Sequence, residues 1–344
     1  MKQIFLLAAL CCTNAIWAQT YKPALDAVFN QTHTAMAGRG GGITMVLQKG
    51  GQTVYSQSRG GFTENTPMLI ASASKWYAGL VLMRLVHGGK LRLDDKVSQY
   101  IPSFGGDKKD ITLRHCFAHT TGLPGNAETV TELMGDRRQS LAEMVEEIAA
   151  MPLVAAPGTQ FNYGGLSMQV AGRVCEIVTG KSWNQLFETE VVRPLAMNNT
   201  RYSGSRLGSL PRVAGGISST AADALKLLEM LAGNGNFRGK QYLTPKEVDL
   251  MLADQTGSTT TGYSPFTKYV SGAASSAAVA RYAVGNWVIK DGDIAINASP
   301  GAFGFTPWID RQRGYYGVIA VRNSFEAVMP HFWKILHTIN NHQL

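Results

Sequence analysis

Residues 68–87 read MLIASASKWYAGLVLMRLVH, an apolar run that leads into a predicted helix from about Ser72 to His87. Within it, Ser72-Ala73-Ser74-Lys75 forms an S-x-x-K pattern, which places the first and fourth side chains on one helix face. A helix N-terminus favours negative charge on a serine, and burial lowers the pKa of a lysine, so the pair has the chemistry of a nucleophile and its base. Alone, the tetrapeptide is explained more simply by Ser72 as a helix cap and Lys75 as a solvated side chain.

The rest of this helix is apolar over most of its surface, which is typical of a helix buried in the centre of a domain. Its apolar side chains include Leu80, Leu82, Met83, Leu85 and Val86. On its N-terminal side, Tyr21 to Ala37 has a helical pattern, and β-rich runs at Ile43–Gln48 and Gln52–Gln57 flank Lys49-Gly50-Gly51. That arrangement predicts a β-hairpin.

The C-terminal part returns to strand-like runs and then closes with a helix at Ala327–Asn340. The predicted strands are Arg281–Lys290, Asp293–Asn297, Thr306–Asp310 and Tyr315–Arg322. Because the runs follow one another as hairpins without intervening helices, antiparallel pairing is favoured over parallel pairing. We therefore predict an α/β (α+β) fold in which an antiparallel sheet flanked by helices is built from both chain ends.

The middle of the chain is predominantly helical. Three capping boxes mark helix starts there, and they pair Ser140 with Glu143, Ser182 with Gln185, and Thr244 with Glu247. The predicted organisation is a discontinuous α/β domain of residues 19–105 and 281–344 with an inserted, mainly helical domain of residues 106–280. Within the insert, residues 255–276 are rich in Gly, Ser and Thr and predict a long surface loop, a candidate lid over a site.

Several ordered sequence blocks accompany the S-x-x-K pattern. They are Gly89–Val97, Ile111–Pro124, Pro157–Tyr163, Arg193–Met197 and Ala214–Asp223. In this order they resemble the serine β-lactamase-related hydrolases, a group of class C β-lactamases, D-Ala-D-Ala carboxypeptidases, D-aminopeptidases and β-lactamase-fold esterases. The resemblance extends from about Tyr21 to Arg322, and it implies a β-lactamase/transpeptidase-like fold.

The resemblance also implies roles for individual residues. Ser72 is similar to the acylated nucleophile of the family and Lys75 to its partner. Tyr163 occupies the first position of the second family motif, Y-x-N, where a phenol near a lysine ammonium is shifted toward phenolate and shares the role of base. The alternative for Tyr163 is an ordinary buried core tyrosine.

The third family motif, K-T-G or H-x-G, best matches Ser299-Pro300-Gly301. The resemblance then implies that the backbone N–H groups of Ser72 and Ala302 form an oxyanion hole. Gly301 would let the substrate backbone approach the strand closely. The alternative is that Pro300-Gly301 is merely a turn.

Two departures from the family pattern affect substrate binding. The Asn of Y-x-N is Gly165 here, which removes an amide, and the Lys or His of the third motif is Ser299, which removes a cation that recognises a carboxylate. Both changes are expected to weaken the binding of β-lactams and of D-Ala-D-Ala termini. The implied nucleophile, base and oxyanion donors are unaffected.

The sequence therefore predicts a serine hydrolase that cleaves an ester or amide through an acyl-enzyme on Ser72, with an esterase or peptidase-like amidase favoured. The alternatives are a β-lactamase or D-Ala-D-Ala carboxypeptidase, and a non-catalytic protein on the same fold that binds peptidoglycan or β-lactams. The expected partner is a small-molecule ester, amide or peptide. The chemistry requires no metal and no organic cofactor, and the oligomeric state stays open.

Residues 1–18 predict a cleaved signal peptide. Lys2 precedes the short apolar run Ile4–Cys12, and a cut after Ala18 follows a small residue. Lipoprotein anchoring is the less favoured alternative, because neither Cys11 nor Cys12 follows the small residue of a lipobox. A secreted or periplasmic protein is expected, and no later apolar run is long enough to span a membrane.

Composition narrows the function classes further. The chain has 344 residues, of which 45% are hydrophobic and 16% charged, as in globular proteins. Lys and Arg number 32 against 24 for Asp and Glu, yet the positive charge is spread out, which does not indicate a nucleic-acid site. Beyond the predicted leader, Cys116 and Cys175 are the cysteines, and the sequence leaves their pairing open.

Overall fold

The computed structural model describes residues 21–36, 41–125, 140–202, 212–266 and 279–342. Its main strands are β1 (Ile43–Lys49), β2 (Gln52–Arg59), β10 (Val279–Tyr282), β11 (Trp287–Asp291), β12 (Ile294–Ala298), β13 (Phe305–Asp310) and β14 (Tyr315–Val321). Short strands are β3 (Met68–Leu69), β4 (Gln160–Asn162), β5 (Arg201–Tyr202), β6 (Ile217–Ser219), β7 (Asn236–Phe237), β8 (Lys240–Gln241) and β9 (Thr260–Tyr263).

The helices of the described residues begin with α1, residues 21–36. They continue with α2 (Ser74–His87), α3 (Leu113–Ala118), α4 (Leu141–Ala150), α5 (Leu166–Thr179), α6 (Trp183–Phe187), α7 (Ala221–Ala232), α8 (Pro245–Leu252) and α9 (Phe325–Asn341). Among the described residues, short 3₁₀ turns lie at Ala71–Ala73, Val97–Gln99, Pro102–Phe104 and Gly106–Lys108.

The large sheet has seven strands in the order β10-β11-β12-β13-β14-β1-β2, and each neighbouring pair is antiparallel. β1 and β2 form the predicted hairpin through Gly50 and Gly51, whose φ values of 56° and 79° suit a primed turn. β1 also pairs with β14, with Ile43 opposite Val321. An antiparallel sheet built from both chain ends is thereby confirmed.

The two faces of this sheet bury different partners, because side chains alternate along each strand. On β1, Met45 and Leu47 pack into one core with α1 and α9, whereas Val46 packs into the other core with α2 and α7. β14 repeats the alternation, with Ile319 in the first core and Val318 in the second. The sheet is therefore covered by helices on both sides.

The predicted capping boxes form at the starts of α4, α6 and α8, where Ser140, Ser182 and Thr244 each accept a backbone N–H three residues later. Such reciprocal caps are local in sequence, so their residue types are sufficient to locate a helix start. The boundaries of the inserted helical domain stay a prediction.

Several predicted boundaries were wrong. The turn Ala71–Ala73 is 3₁₀, and α2 begins at Ser74 rather than Ser72. The single strand predicted at Arg281–Lys290 is two strands, β10 and β11, separated by a turn at Gly285 with φ of 79°. A short helix, α3, follows the cap at Thr112, where no helix was predicted.

The segment predicted as a loop contains a short strand. β9 (Thr260–Tyr263) lies inside it and pairs in parallel with β4. The rest of that loop beyond residue 266 and the predicted leader at residues 1–18 lie outside the described residues.

Where helices are described, none combines the length and apolarity that a membrane crossing requires. Cys116 and Cys175 are buried and not bonded to each other.

Candidate active site

The S-x-x-K pattern lies at the junction between β3 and α2. Ser72 occupies the middle of the 3₁₀ turn, directly after Ala71, which has a left-handed φ of 46°. The second serine of the pattern, Ser74, is fully buried and accepts a hydrogen bond from the N–H of Ile217 at 3.1 Å. The Ile70 N–H also donates to the Ile217 carbonyl at 3.0 Å. These two bonds to β6 fix the turn that presents Ser72.

Lys75 points from the first turn of α2 toward Ser72. Its Nζ lies 3.1 Å from Ser72 Oγ and donates to the carbonyl oxygen of Ala214 at 3.0 Å. The side chain is buried, and no ion pair between described residues includes it. Burial lowers the pKa of Lys75 to about 7. Near neutral pH, therefore, a large fraction of this amine is uncharged and able to accept a proton. The interpretation of Lys75 as a solvated side chain was wrong.

Tyr163 comes directly after β4 and reaches the same place from a distant part of the chain. The Lys75 Nζ lies 4.7 Å from the centroid of its ring. Burial raises the pKa of Tyr163 above its usual value, and a side-chain hydrogen bond with Ser72 acts in the opposite direction but is smaller. The phenol is therefore favoured over the phenolate that we expected, because a charged oxygen is poorly solvated in this position.

A histidine that motif reasoning left without a role lies behind Tyr163. The His119 ring centroid is 4.7 Å from that of Tyr163 and 4.7 Å from that of Tyr282. Burial, followed by the positive charge of Lys75, holds the pKa of His119 well below its usual range. His119 is therefore neutral and forms part of the aromatic wall. The sequence signal that could have identified His119 is its position in the block Ile111–Pro124.

The third predicted motif lies beside the nucleophile turn, after the end of β12. Ser299 Oγ donates to the Ser72 carbonyl oxygen at 3.4 Å. A Cβ on Gly301 would lie 2.1 Å from the carbonyl oxygen of Ile70, so this backbone contact requires glycine. Within the described ranges, neither Ser72 nor Ala302 donates its backbone N–H to a protein acceptor. Both N–H groups are thus available for an oxyanion.

A cleft of about 320 Å³ opens above these groups. Every predicted site residue except Ser299 and Gly301 lines this cleft. Ser299 and Gly301 lie instead against the backbone of the turn that carries Ser72. The described lining residues are Ser72, Lys75, Tyr163, Gly164, Gly165, Tyr263, Pro265, Phe266, Trp287, Pro300, Ala302, Phe325 and Glu326. Gly165 precedes α5 and leaves its part of the wall without a side chain. Five of the thirteen described lining residues are aromatic, and sequence reasoning missed Phe325 and Glu326.

The chain is similar in sequence to known proteins. The sequence profile of the family described as Beta-lactamase matches residues 25–331. Esterase EstB of Burkholderia gladioli is 30% identical over 198 residues, which cover 51% of this chain and 50% of EstB. Protein flp of Staphylococcus aureus strain MW2 is 25% identical over 182 residues, covering 49% of this chain and 36% of flp. The matched regions thus span half or less of these curated relatives.

Solved structures resemble the chain over nearly its whole length. A candidate beta-lactamase from Bacteroides dorei DSM 17855 has a TM-score of 0.79 and 28% identity, covering 94% of this chain and 99% of that one. EstCE1, a hydrolase with promiscuous acyltransferase activity, has a TM-score of 0.73 at 21% identity, covering 92% and 98%. The predicted β-lactamase/transpeptidase-like fold is confirmed. Because the profile match covers most of its length, this chain belongs to the beta-lactamase family.

Proposed function

We propose that this protein is a serine hydrolase that cleaves an ester or amide bond through an acyl-enzyme on Ser72. One observation supports this proposal above the others: Lys75 Nζ lies 3.1 Å from Ser72 Oγ, in a buried position that lowers the pKa of Lys75 to about 7. A neutral amine within hydrogen-bond distance of a hydroxyl can remove its proton as the oxygen attacks a carbonyl.

The remaining groups supply the other parts of the reaction. The Ser72 proton moves to Lys75 as Oγ bonds to the substrate carbonyl carbon. The resulting oxyanion is stabilised by the N–H groups of Ser72 and Ala302, each worth about 3 kcal/mol where such donors have been removed in other enzymes. The oxyanion then collapses and breaks the bond between the carbonyl carbon and the leaving group. Tyr163, protonated and hydrogen-bonded to Ser72, gives its proton to the leaving group and receives the one held by Lys75. Water then repeats the sequence on the acyl-enzyme and regenerates Ser72.

An ester is the favoured substrate, with a non-β-lactam amide next. Gly165 offers no amide and Ser299 no cation, so two contacts that hold β-lactams and D-Ala-D-Ala termini in the resembled family are missing. Esters also need less help, because an alkoxide leaves more readily than an amine. The likeness to EstB supports this choice, and the likeness to the B. dorei protein keeps β-lactam hydrolysis as a second candidate.

Replacing the nucleophile tests the proposal directly. We expect Ser72→Ala to lower kcat for p-nitrophenyl butyrate at least a thousandfold, because no covalent route remains. The matched control is Ser56→Ala, on the exposed face of β2, which should keep the wild-type rate. Intact-mass spectrometry with a fluorophosphonate should show one adduct on the wild-type protein and none on Ser72→Ala. Equal rates for the two variants would contradict the assignment, and labelling without turnover would favour the non-catalytic binding protein.

Tyr163→Phe separates proton transfer from binding. Loss of the phenol O–H should lower kcat by about a hundredfold or more while KM changes little, since general acid–base groups typically contribute that much. The measurement is steady-state kinetics on the same ester. A loss of less than threefold would remove Tyr163 from the mechanism.

We also propose that the reaction takes place outside the cytoplasm, on the strength of the leader pattern in residues 1–18. The expected mature N-terminus is Gln19. Mass spectrometry of the protein purified from the cell envelope or medium of its host checks this, and a retained Met1 with a cytoplasmic location would contradict it.

A further inference from the structure

We propose that the cleft selects esters or amides that carry a cationic ammonium group close to the scissile bond, and that Glu326 together with the neighbouring aromatic rings recognises this cation. The inference rests on the proposed function, because it names the substrate class of the same cleft. It is argued from the charges, the anchoring and the ring arrangement of the described residues.

The charge of the cleft is the first argument. Glu326 is the acidic side chain among the described residues that line it. The positively ionisable side chain of that lining is Lys75, which is buried beneath the cleft and engaged with Ser72 and Ala214. At the position where the resembled family carries a cation for a substrate carboxylate, the chain has Ser299. The described lining of the cleft thus carries a carboxylate, and its one positively ionisable side chain is already engaged, so the charges favour a cationic over an anionic substrate.

The position of Glu326 is the second argument. Ser324 caps α9 by accepting the Ala327 N–H at 3.3 Å, and the Phe325 N–H donates to the Ala302 carbonyl oxygen at 3.1 Å. The first turn of α9 is therefore attached to the same residue that offers an N–H to the oxyanion. Glu326 is exposed at this point, and within the described part of the chain no hydrogen bond or ion pair uses its carboxylate. The helix dipole also stabilises a carboxylate in the first turn. That effect accounts for an acidic residue at this position, but it does not account for the carboxylate lining the cleft.

The ring arrangement is the third argument. Phe325 lies next to Glu326, its ring centroid is 5.4 Å from that of Phe266, and Phe266 contacts Trp287 with centroids 4.4 Å apart. Trp287 stacks on Tyr163 at 5.2 Å. A continuous series of ring contacts thus runs from Phe325 to Tyr163, and Glu326 lines the same cleft as these rings. Aromatic faces beside a carboxylate are the surroundings that attract alkylammonium ions, because ring quadrupoles and a negative charge act together.

Isosteric substrates test the inference. One pair differs in the acyl group: the p-nitrophenyl esters of 4-(trimethylammonio)butanoate and of its neutral isostere 5,5-dimethylhexanoate. A second pair differs in the leaving group: the acetates of choline and of 3,3-dimethylbutanol. We expect the cation-to-neutral ratio of kcat/KM to fall about tenfold in Glu326→Gln relative to wild type, in at least one pair. Comparing the variant with wild type cancels the intrinsic reactivity of each ester.

Two further variants sharpen the result. Glu146→Gln removes an exposed acid of α4 far from the cleft lining and should keep the wild-type ratio. Glu326→Lys should reverse the direction of the selection, so that kcat/KM for p-nitrophenyl hemisuccinate relative to the trimethylammonio ester rises above its wild-type value. Circular dichroism confirms that each variant is folded before its ratio is used.

The outcomes distinguish the two proposals. Absence of turnover of all four esters, with no adduct on Ser72, would overturn the hydrolase itself. Turnover with the same ratio in wild type, Glu326→Gln and Glu326→Lys would leave the hydrolase intact and overturn cation selection. A cation-to-neutral ratio that falls in Glu326→Gln and persists in Glu146→Gln, together with a hemisuccinate-to-trimethylammonio ratio that rises in Glu326→Lys, establishes it.

Discussion

Lys75 combines two properties that rarely occur together in a lysine, since it is buried and yet its hydrogen-bond partners among the described residues are all neutral. Ser72 Oγ and the Ala214 carbonyl oxygen accept from its Nζ, and burial keeps its pKa at about 7. An amine stabilised by a carboxylate would keep its proton and be a poor base at neutral pH. The absence of such a partner among the described residues is therefore what suits Lys75 to its proposed role.

The pH dependence follows from that value. Because the pKa of Lys75 is lowered to about 7, its neutral form is the minority below this pH and the majority above it. We expect kcat/KM for a p-nitrophenyl ester to rise with pH through about 7 and to level off above about 8. His119 adds no further change to the pH profile in this range, since its pKa lies well below the usual value and the ring stays neutral.

The measurement is kcat/KM between pH 5.5 and 9 at constant ionic strength, with the Ser72→Ala variant supplying the background hydrolysis. A rising limb centred above pH 9 would contradict the neutral-lysine mechanism. Because the profile of kcat/KM reports ionisations of the free enzyme, a slow product-release step does not displace the limb.

At this scale, the sequence predicted which candidate residues lie together better than it predicted their environment. The spacing in Ser72–Lys75 is a local property of a helical turn, so it could be recognised directly. The neutral state of Tyr163 depends on burial by side chains from elsewhere in the chain, among them His119 and Trp287. Such surroundings are assembled only by the tertiary fold, which a motif does not encode.

At the scale of elements, the site depends on how closely the turn after β12 approaches the turn before α2. Gly301 is the contact point, because any Cβ there would collide with the carbonyl oxygen of Ile70. The Gly301 N–H donates to the Phe305 carbonyl oxygen at 2.8 Å, which fixes the turn to β13. The distance between the two proposed oxyanion donors is thus set by backbone contacts rather than by side chains.

Gly301→Ala should therefore separate the two turns. We expect kcat/KM to fall by about a hundredfold, as when one oxyanion donor is lost elsewhere, while Ser72 still reacts with a fluorophosphonate, more slowly. Gly88→Ala is the matched control, because a Cβ there would meet its nearest atom at 3.5 Å, an ordinary contact. Kinetics and melting curves of both variants check this. If Gly301→Ala retained more than a third of the activity, the proposed oxyanion geometry would be wrong.

Elements with a local signature were predicted well, and elements without one were not. The capped helices α4, α6 and α8 begin where their capping boxes stand. β3, β5 and β6 are two or three residues long and form a small sheet only because distant segments meet there. Periodicity needs more residues than these strands contain, so no sequence pattern marks them.

At the scale of the whole molecule, the two chain ends are packed together in one core. α1 and α9 lie side by side over the sheet face formed by β1, β14 and their neighbours. Phe332 of α9 is fully buried there and contacts the Trp308 ring edge-on, with centroids 5.5 Å apart. The stability of the sheet that carries the third motif therefore depends on the last helix.

Phe332→Ala should destabilise the protein without altering its chemistry. We expect the free energy of unfolding to fall by about 3–5 kcal/mol, because the ring is removed from a closed core, while kcat and KM of the folded enzyme stay near wild type. Ile177→Ala is the control, since this α5 side chain is 40% exposed and its truncation should cost below about 1 kcal/mol. Urea unfolding measures the free energy of unfolding, and kinetics at low temperature measure kcat and KM of the folded enzyme. Equal losses in the two variants would contradict the packing.

The overall architecture was predictable because its signals are long and repeated. Strand-like runs at both ends of the chain, with helices between them, require the ends to pair if each apolar face is to be buried. The order of the strands was not predicted, since it depends on which edges meet. That β1 sits between β2 and β14 rather than at an edge follows from packing and has no sequence marker.

The central position of β1 has a consequence for biosynthesis. One of its two partners, β14, is translated near the end of the chain, so a nascent polypeptide leaving the ribosome has β1 with one side unpaired. Pairings between such distant segments form slowly and only once the late segment is present. The seven-stranded sheet is therefore completed only after β14 has been synthesised, so most of the chain is made before its largest sheet can close.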